Sequence, residues 1–363
     1  MGNIVLVGIS GGVDSAVTLA LLKNKGYAVS AVFLRFWDSG GKNNKALVDA
    51  KKVCEILGVP LRIIDARADF KKTVIKYFLS EYEKGNTPNP CVFCNEKMKF
   101  KLLFAVAKKM GIELVATGHY ARIMKHITYN MKQGISNAEQ ELAYGLFPAK
   151  DISKDQSYFL YRLGQKELAR IIFPLGEYEK DEVRKLAEKF RLPVFDKTDS
   201  QDVCFMDNGS LEEFLSKNIK LKKGKIVDLE GRILGEHKGL ALYAIGQRKG
   251  IEIGGTGPYF VISKDMRKNI LLVTNKLNHP AIVQKTIELE KVVWTSGIAL
   301  KLPLAVSART RYHNPLFRAI IKKSKSEKTC QLEFAQPQKA VSPGQSVVFY
   351  GKNEEILGGG VIR

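Results

Sequence analysis

No stretch of about 18 apolar residues occurs in this 363-residue chain. A membrane-spanning helix needs one, so none is expected. The N-terminus shows no basic, then apolar, then small-residue leader. Cysteine is scarce. Five are too few to staple a chain of this length, which predicts a cytoplasmic protein whose thiols are reactive, metal-binding or buried. Acidic residues fall short of basic ones: 37 Asp+Glu against 58 Lys+Arg gives a net charge of +21. Such a field favours a polyanionic partner, nucleic acid first, although lysine scattered along the whole chain also fits a general lysine bias. Two common phosphate signatures, G-x-x-x-x-G-K-[ST] and G-x-G-x-x-G, are missing. No repeat of 20–50 residues is present.

What is present begins at the first residues. Ile4–Val7 is a β-branched and apolar run that stops at Gly8-Ile9-Ser10-Gly11-Gly12. A helical pattern then starts at Val13-Asp14-Ser15. A strand, a glycine turn and a helix N-terminus together aim free N–H groups and a positive dipole end at an anion. Gly11 and Gly12 let backbone approach a phosphate closely. Ser10 and Ser15 add hydroxyls. Asp14 is out of place beside an anion unless a divalent cation such as Mg²⁺ bridges the two. This S-G-G-x-D-S resembles the pyrophosphate loop of the N-type ATP pyrophosphatases, enzymes that adenylate a substrate and release pyrophosphate.

Residues 1 to about 207 read as alternating strands and helices. Strands are predicted at Ile4–Val7, Val29–Leu34, Leu61–Ile64 and Leu114–Thr117. Helices are predicted at Val13–Lys25, Asn44–Leu57, Phe70–Glu83, Met98–Met110, Leu163–Ile172 and Asp181–Phe190. That order implies an α/β fold with a doubly wound parallel sheet. Residues 124–150 read as a polar insertion or hairpin, with a short strand at Tyr144-Gly145-Leu146. Ser210 and Glu213 form a capping box. From Gly224 onward the pattern is mostly period two with regular turns, as in β barrels or sandwiches. The expected units are 1–207, a small middle domain at 212–280, and a β-barrel-like C-terminal domain at 283–363.

Thr87-Pro88-Asn89-Pro90-Cys91-Val92-Phe93-Cys94-Asn95 is a proline-stiffened C-x-x-C at a helix start, followed by Lys97, Lys99 and Lys101. A helix N-terminus and nearby cations favour thiolates. Cys204 lies in a loop-like stretch near the end of the α/β region. Cys54 and Cys330 fall on apolar positions and are expected in the core. For Cys91, Cys94 and Cys204 the residues alone leave three readings open: persulfide chemistry, an iron–sulfur or zinc site, or inert structure.

Taken in order, eight segments resemble the tRNA-specific 2-thiouridylase family. They are G-I-S-G-G-V-D-S at 8–15, T-P-N-P-C-V-F-C-N at 87–95, A-T-G-H-Y-A-R at 116–122, K-D-Q-S-Y-F-L at 154–160, S-Q-D-V-C-F at 200–205, G-Q-R-K-G at 246–250, T-R-Y at 310–312 and S-P-G-Q-S at 342–346. The resemblance implies an adenine nucleotide alpha hydrolase-like domain. It implies an ATP-dependent tRNA sulfurtransferase that adenylates the 2-oxo group of the wobble uridine and replaces it with sulfur.

Carried over residue by residue, it makes Cys94 the nucleophile and Cys204 the persulfide carrier, the two able to form an alternate disulfide. Gly8, Ile9, Ser10, Gly11, Gly12, Val13, Asp14, Ser15, Leu34 and Gly118 would meet ATP. Asn89, Pro90, Cys91, His119, Lys154, Asp155, Gln156, Arg311, Tyr312 and Gln345 would meet tRNA. Cys91 stands where some members have Asp, which keeps an iron–sulfur cluster on Cys91, Cys94 and Cys204 as the alternative. The sulfur donor would be a cysteine desulfurase or a sulfur-relay protein. The lysine-rich stretches 221–225 and 322–328 are read as solvated faces able to follow a phosphate backbone. Two rivals remain on the residues alone: a synthetase-type ligase of the same superfamily, which leaves the thiols without a use, and a non-catalytic nucleotide-binding RNA module.

Overall fold

The computed structural model describes residues 4–38, 42–130, 139–198, 203–206, 209–251, 253–254, 258–276, 279–280, 282–326 and 329–363. Ser200, Gln201 and Asp202 of the S-Q-D-V-C-F segment, the turn centre at 277–278, part of the 124–150 insertion, residues 327–328 of the second lysine-rich stretch, and the expected domain end at 207 lie outside the described residues.

The N-terminal unit opens with β1 (Ile4–Gly8), α1 (Val13–Asn24), β2 (Ala28–Arg35), α2 (Lys42–Ile56) and β3 (Leu61–Asp65). Helices α3 (Arg67–Phe70) and α4 (Lys76–Glu83) are joined by a π turn at Lys71–Ile75. Helices α5 (Pro90–Cys94) and α6 (Phe100–Lys109) are joined by another at Asn95–Lys99. After β4 (Leu114–Ala116) comes a hairpin, β5 (Arg122–Asn130) and β6 (Glu139–Phe147). Then follow α7 (Gln165–Leu168), β7 (Ile171–Ile172) and α8 (Lys180–Lys189).

The five-stranded sheet has the order β3-β2-β1-β4-β7, and every pairing in it is parallel. Val5, Leu6 and Val7 are wholly buried. That explains their unbroken apolar run, since a central parallel strand is covered on both faces. One core packs α1, α2 and α8 on the sheet. The other packs α6 and the Tyr158–Leu163 segment on the opposite face.

The expected helix over Leu163–Ile172 is corrected. Only Gln165–Leu168 is helical, and Ile171–Ile172 pairs with Val115–Ala116 as the last strand of the sheet. A β-branched pair beside an open strand edge is worth more as a strand than as another helical turn.

Helix α9 (Leu211–Asn218) starts at Ser210, whose Oγ accepts from Glu213 N at 3.1 Å. A four-stranded sheet follows, with β8 (Gly224–Val227), β9 (Ile233–His237), β10 (Phe260–Asp265) and β11 (Ile270–Thr274) in the order β10-β11-β8-β9. The C-terminal strands are β12 (Val283–Trp294), β13 (Leu304–Arg309), β14 (Phe317–Lys323), β15 (Thr329–Lys339), β16 (Ser346–Tyr350) and β17 (Ile356–Ile362). They run β12-β15-β14-β13-β16-β17, and β17 pairs back on β12 to close a six-stranded barrel. Alternate residues such as Val306, Ala308, Val347 and Phe349 fill its interior. The outward-facing Val348 and Tyr350 join the second core of the N-terminal unit. The 124–150 segment is a hairpin, and Leu146 on β6 pairs with Ile356 on β17. Barrel and α/β unit thus share both a core and a strand pairing. Among the described residues no helix is long and apolar enough to cross a membrane.

Candidate active site at the carboxyl edge of the parallel sheet

Strand β1 lies between β2 and β4, so connections leave its carboxyl end in opposite directions. Open α/β sheets bind ligands at such a crevice. Gly12 caps α1 with extended backbone. Ser15 Oγ donates to Gly12 O and accepts from Ser10 N, both at 3.0 Å, and this folds the loop back over the helix start. Gly11 has φ +73°, and a Cβ there would lie 2.1 Å from Ala46 O. Gly118 follows β4 and presses on the same turn, where a Cβ would meet Asp14 C at 2.8 Å. Leu34 sits two residues beyond Val32, the β2 partner of Gly8. Gly8–Ser15, Leu34 and Gly118 are therefore brought to one edge.

Two lysines that the sequence reading did not single out complete the loop. Lys180 Nζ donates to Asp14 Oδ1 at 2.7 Å, and Tyr120 Oη donates to the same oxygen at 2.8 Å. Lys197 Nζ donates to Gly11 O at 2.7 Å and pairs with Asp49 at 2.6 Å. Basic side chains thus answer the puzzle of Asp14 beside an anion site. Both lysines come from segments remote in the chain, and only the fold reveals them.

The cysteine helix starts at Asn89, whose Oδ1 accepts from Val92 N at 3.3 Å, with Pro90 in the first turn. Cys91 is exposed and Cys94 is 9 % exposed. Cys204 sits in a turn closed by Met206 N to Val203 O, and it too is exposed. The Cys204 turn is anchored by Phe205, which is buried among Phe70, Phe78 and Phe214, with Trp37 against its edge. Cys94 packs in that same apolar cluster with Val203 and Phe205, the chain neighbours of Cys204. Desolvation pushes Cys94 up to about 11 and Cys204 up to about 12, and it raises Cys91 as well. The three thiols lie close enough for Cys204 to feel the charge of both others, and Lys99 opposes the rise at each.

Lys99 Nζ donates to His119 Nε2 at 3.3 Å. An ammonium offers no acceptor, so Nδ1 carries the imidazole proton and donates to Thr117 Oγ1 at 2.6 Å. Desolvation first, and Lys99 second, hold His119 well below its ordinary pKa, so the ring is neutral.

The remaining expected residues divide. Asn89 and Cys91 sit at the start of the cysteine helix, and Tyr312 feels the charge of Cys91. Pro90 is buried at the same helix start. Arg311 is exposed beside Tyr312, whose ring packs on Phe159 at 4.5 Å. Gln345 Nε2 donates to Thr87 O at 2.8 Å and so grips the proline loop from the barrel. Asp155 is 1 % exposed and accepts from Ala149 N, Ser157 N and Ser157 Oγ. Gln156 Oε1 accepts from Tyr120 N at 3.1 Å. Lys154 lies half-buried in the preceding turn. Gln156 thus braces the loop at Tyr120, and Asp155 pairs with Arg309 of the barrel at 3.8 Å. Cys54 is core, 3 % exposed and pushed up to about 11 by burial, and Cys330 packs half-buried on the barrel core.

Among the described residues, no group of three or more His, Cys, Asp or Glu side chains is gathered to hold a metal ion. The three thiols do not make a ligand set for a cluster.

Three family models match in sequence: a tRNA methyl transferase HUP domain over residues 3–208, a tRNA methyl transferase PRC-barrel domain over 212–275, and an aminomethyltransferase beta-barrel domain over 284–362. Among curated proteins, the chain is 40% identical to the tRNA-specific 2-thiouridylase of Nitrosomonas eutropha, covering 99% of this chain and 98% of that one. It is 41% identical to the enzyme so named in Neisseria meningitidis, covering 99% and 95%. It is 38% identical to that of Francisella philomiragia, covering 99% of both. With a glycine loop at the sheet edge, thiols on two neighbouring segments and a match over its whole length, the chain belongs to the tRNA-specific 2-thiouridylase family.

Proposed function

We propose that this protein is an ATP-dependent tRNA sulfurtransferase that converts the wobble uridine to 2-thiouridine, releasing AMP and pyrophosphate. One observation carries the reading: an anion loop at the sheet edge and the segments that bear Cys91, Cys94 and Cys204 are linked through Thr117, His119 and Lys99. The domain descriptions speak of methyl transfer. Neither the S-G-G-x-D-S loop nor the thiols would have a use in that reaction, whereas thiolation needs both.

The 2-oxo group is a poor leaving group. In the first step uracil O2 attacks the α-phosphorus of ATP, pyrophosphate departs, and O2 carries AMP. Gly8–Ser15, Leu34 and Gly118 hold the nucleotide. Mg²⁺ would accompany ATP as its counter-ion, and Asp14 is the carboxylate of the loop that could meet it. In the second step the terminal sulfur of a Cys204 persulfide attacks C2, and AMP leaves with the C–O electron pair. The Cys94 thiolate then attacks Cys204 Sγ. The S–S bond breaks, its electron pair stays on the base as the thiocarbonyl, and a Cys94–Cys204 disulfide remains for an external thiol to reduce. A cysteine desulfurase or relay protein reloads the sulfur.

The tRNA enters along Asn89–Cys91, His119, Arg311 and Tyr312, with Lys154, Asp155, Gln156 and Gln345 shaping that face from beneath. The rigid proline loop suits a base turned out of its stack. The spans 1–207, 212–280 and 283–363 work as nucleotide, middle and barrel units.

The test combines the protein with unmodified tRNA, ATP, Mg²⁺ and a persulfide donor. AMP and thiouridine are expected together. Absence of thiouridine with the wild type, or unchanged yield from both Cys94→Ser and Cys204→Ser, would overturn the mechanism.

A further inference from the structure

We propose that Lys99 is the shared electrostatic partner of the sulfur-carrying thiols, and that His119 serves to hold it there. The inference rests on the reading above that Cys94 and Cys204 carry sulfur.

Three observations lead to it. Lys99 ends the π turn Asn95–Lys99, directly after the helix that bears Cys91 and Cys94. A π turn inserts an extra residue into the helix, and such turns recur at functional positions. It swings Lys99 towards the sheet edge, where its ammonium meets His119 Nε2. His119 is fixed in turn by Thr117 Oγ1, by Phe100 at 5.8 Å and by Phe173 at 5.9 Å. Gly118, between Thr117 and His119, touches the first turn of α1. Lys99 thus spans from the thiol helix to the strand end beside the anion loop.

The charge pattern fits. Lys99 stands five positions after Cys94 in the turn that continues its helix, and Cys94 packs with Val203 and Phe205 on either side of Cys204; the Lys99 charge works against the desolvation of all three thiols. A neutral His119 accepts from the ammonium without competing with it for anions. Each step of sulfur transfer puts negative charge on one of these sulfurs, first as persulfide and then as the Cys94 thiolate. A fixed cation stabilises that charge wherever it stands among them. A positively charged His119 would instead repel Lys99 and loosen it.

The experiment uses full-length protein and reads alkylation of Cys94 by iodoacetamide at pH 8.5, by peptide mass spectrometry. Lys99→Met is expected to slow alkylation about three- to tenfold. About one pK unit of lost charge assistance gives the larger figure, and the higher nucleophilicity of a more basic thiolate offsets part of it. Lys99→Arg should restore the rate. His119→Asn, which keeps the cation but loosens it, should slow it by a smaller factor. Thiouridine formation in Lys99→Met should fall at least tenfold more than pyrophosphate release does. Equal Cys94 alkylation in wild type and Lys99→Met, with Lys99→Arg also equal, would overturn the proposal. So would thiouridine and pyrophosphate falling in parallel. If the wild type makes no thiouridine yet the alkylation rates shift as stated, the role of Lys99 stands and the assigned reaction falls.

Discussion

Lys180 Nζ donates to Asp14 Oδ1 at 2.7 Å, across 166 positions of sequence. The pair ties the start of α8 to the first turn of α1, directly behind the anion loop. Only 8 % of the Lys180 side chain is exposed, against 32 % for Asp14. Removing the lysine leaves the Asp14 carboxylate without its ammonium partner. Lys180→Met should therefore cost about 2 kcal/mol, less than a fully buried pair because Asp14 retains some water. Urea denaturation measures it. Tyr120 Oη still donates to Asp14 in that variant, so Lys180→Met with Tyr120→Phe should lose more than the sum of the singles if the three groups act together.

Gly118→Ala tests contact at the crevice. The added Cβ would meet Asp14 C at 2.8 Å, Ser15 N at 2.9 Å and Asp14 O at 3.0 Å. All three are backbone atoms of a helix start and cannot swing aside. We expect a loss of about 1–3 kcal/mol, as for an overpacked core, and at least a tenfold fall in tRNA-dependent pyrophosphate release. Stability and pyrophosphate release both at the wild-type level would show that the loop moves freely, against the geometry.

How far the sequence could lead is clear from particular residues. Strand β1 and the loop after it were legible because a buried parallel strand and a glycine turn leave local marks. The closed barrel was legible only as period two, since strand order depends on partners such as β17 and β12 that lie far apart in sequence. Ile171–Ile172 misled because helix and strand share apolar residues in short runs, and the open edge of β4 decided the matter. Lys180 and Lys197 were invisible among 58 basic residues, and Lys99 was legible only as one of three cations beside the C-x-x-C, not as the one that meets His119. Nothing local marks which lysine folds back onto a carboxylate, a carbonyl or an imidazole. Asp155 and Gln345 were legible as motif members, but the bond from Gln345 to Thr87 joins segments 258 positions apart and emerges only when the barrel docks.

His119 sets an acid-side prediction. Its folded pKa lies well below 6.5. An imidazole depressed in the fold contributes stability that is present above its unfolded pKa and lost as pH falls below it, because the unfolded chain then binds a proton that the fold refuses. Below about pH 6.5 stability should fall by up to about 1.4 kcal/mol per pH unit for this one group. His119→Asn should flatten that slope relative to wild type. His237, also lowered by burial, contributes equally to both proteins and cancels in the difference. Denaturation between pH 5 and 8 supplies the comparison, and parallel slopes would show that His119 titrates normally.

Gln345→Ala tests whether the barrel sets the shape of the catalytic loop. Thr87 is gripped twice: its N–H donates to Pro343 O at 2.8 Å, and its carbonyl accepts from Gln345 Nε2 at 2.8 Å. Gly344 between them has φ +87°, and a Cβ there would come within 2.9 Å of Asn86, so the two segments approach too closely for any other residue. Losing one side-chain hydrogen bond costs about 1 kcal/mol globally. Locally the loss is larger in effect, because Thr87 begins the proline loop that presents Asn89 and Cys91. Amide exchange at Thr87 should quicken by about fivefold or more, while exchange in β1 stays at the wild-type rate. The apparent KM for tRNA should rise severalfold with kcat reduced less, since the nucleotide loop is untouched. A fall in kcat alone, with Thr87 exchange unchanged, would place the role of Gln345 elsewhere than in holding this loop.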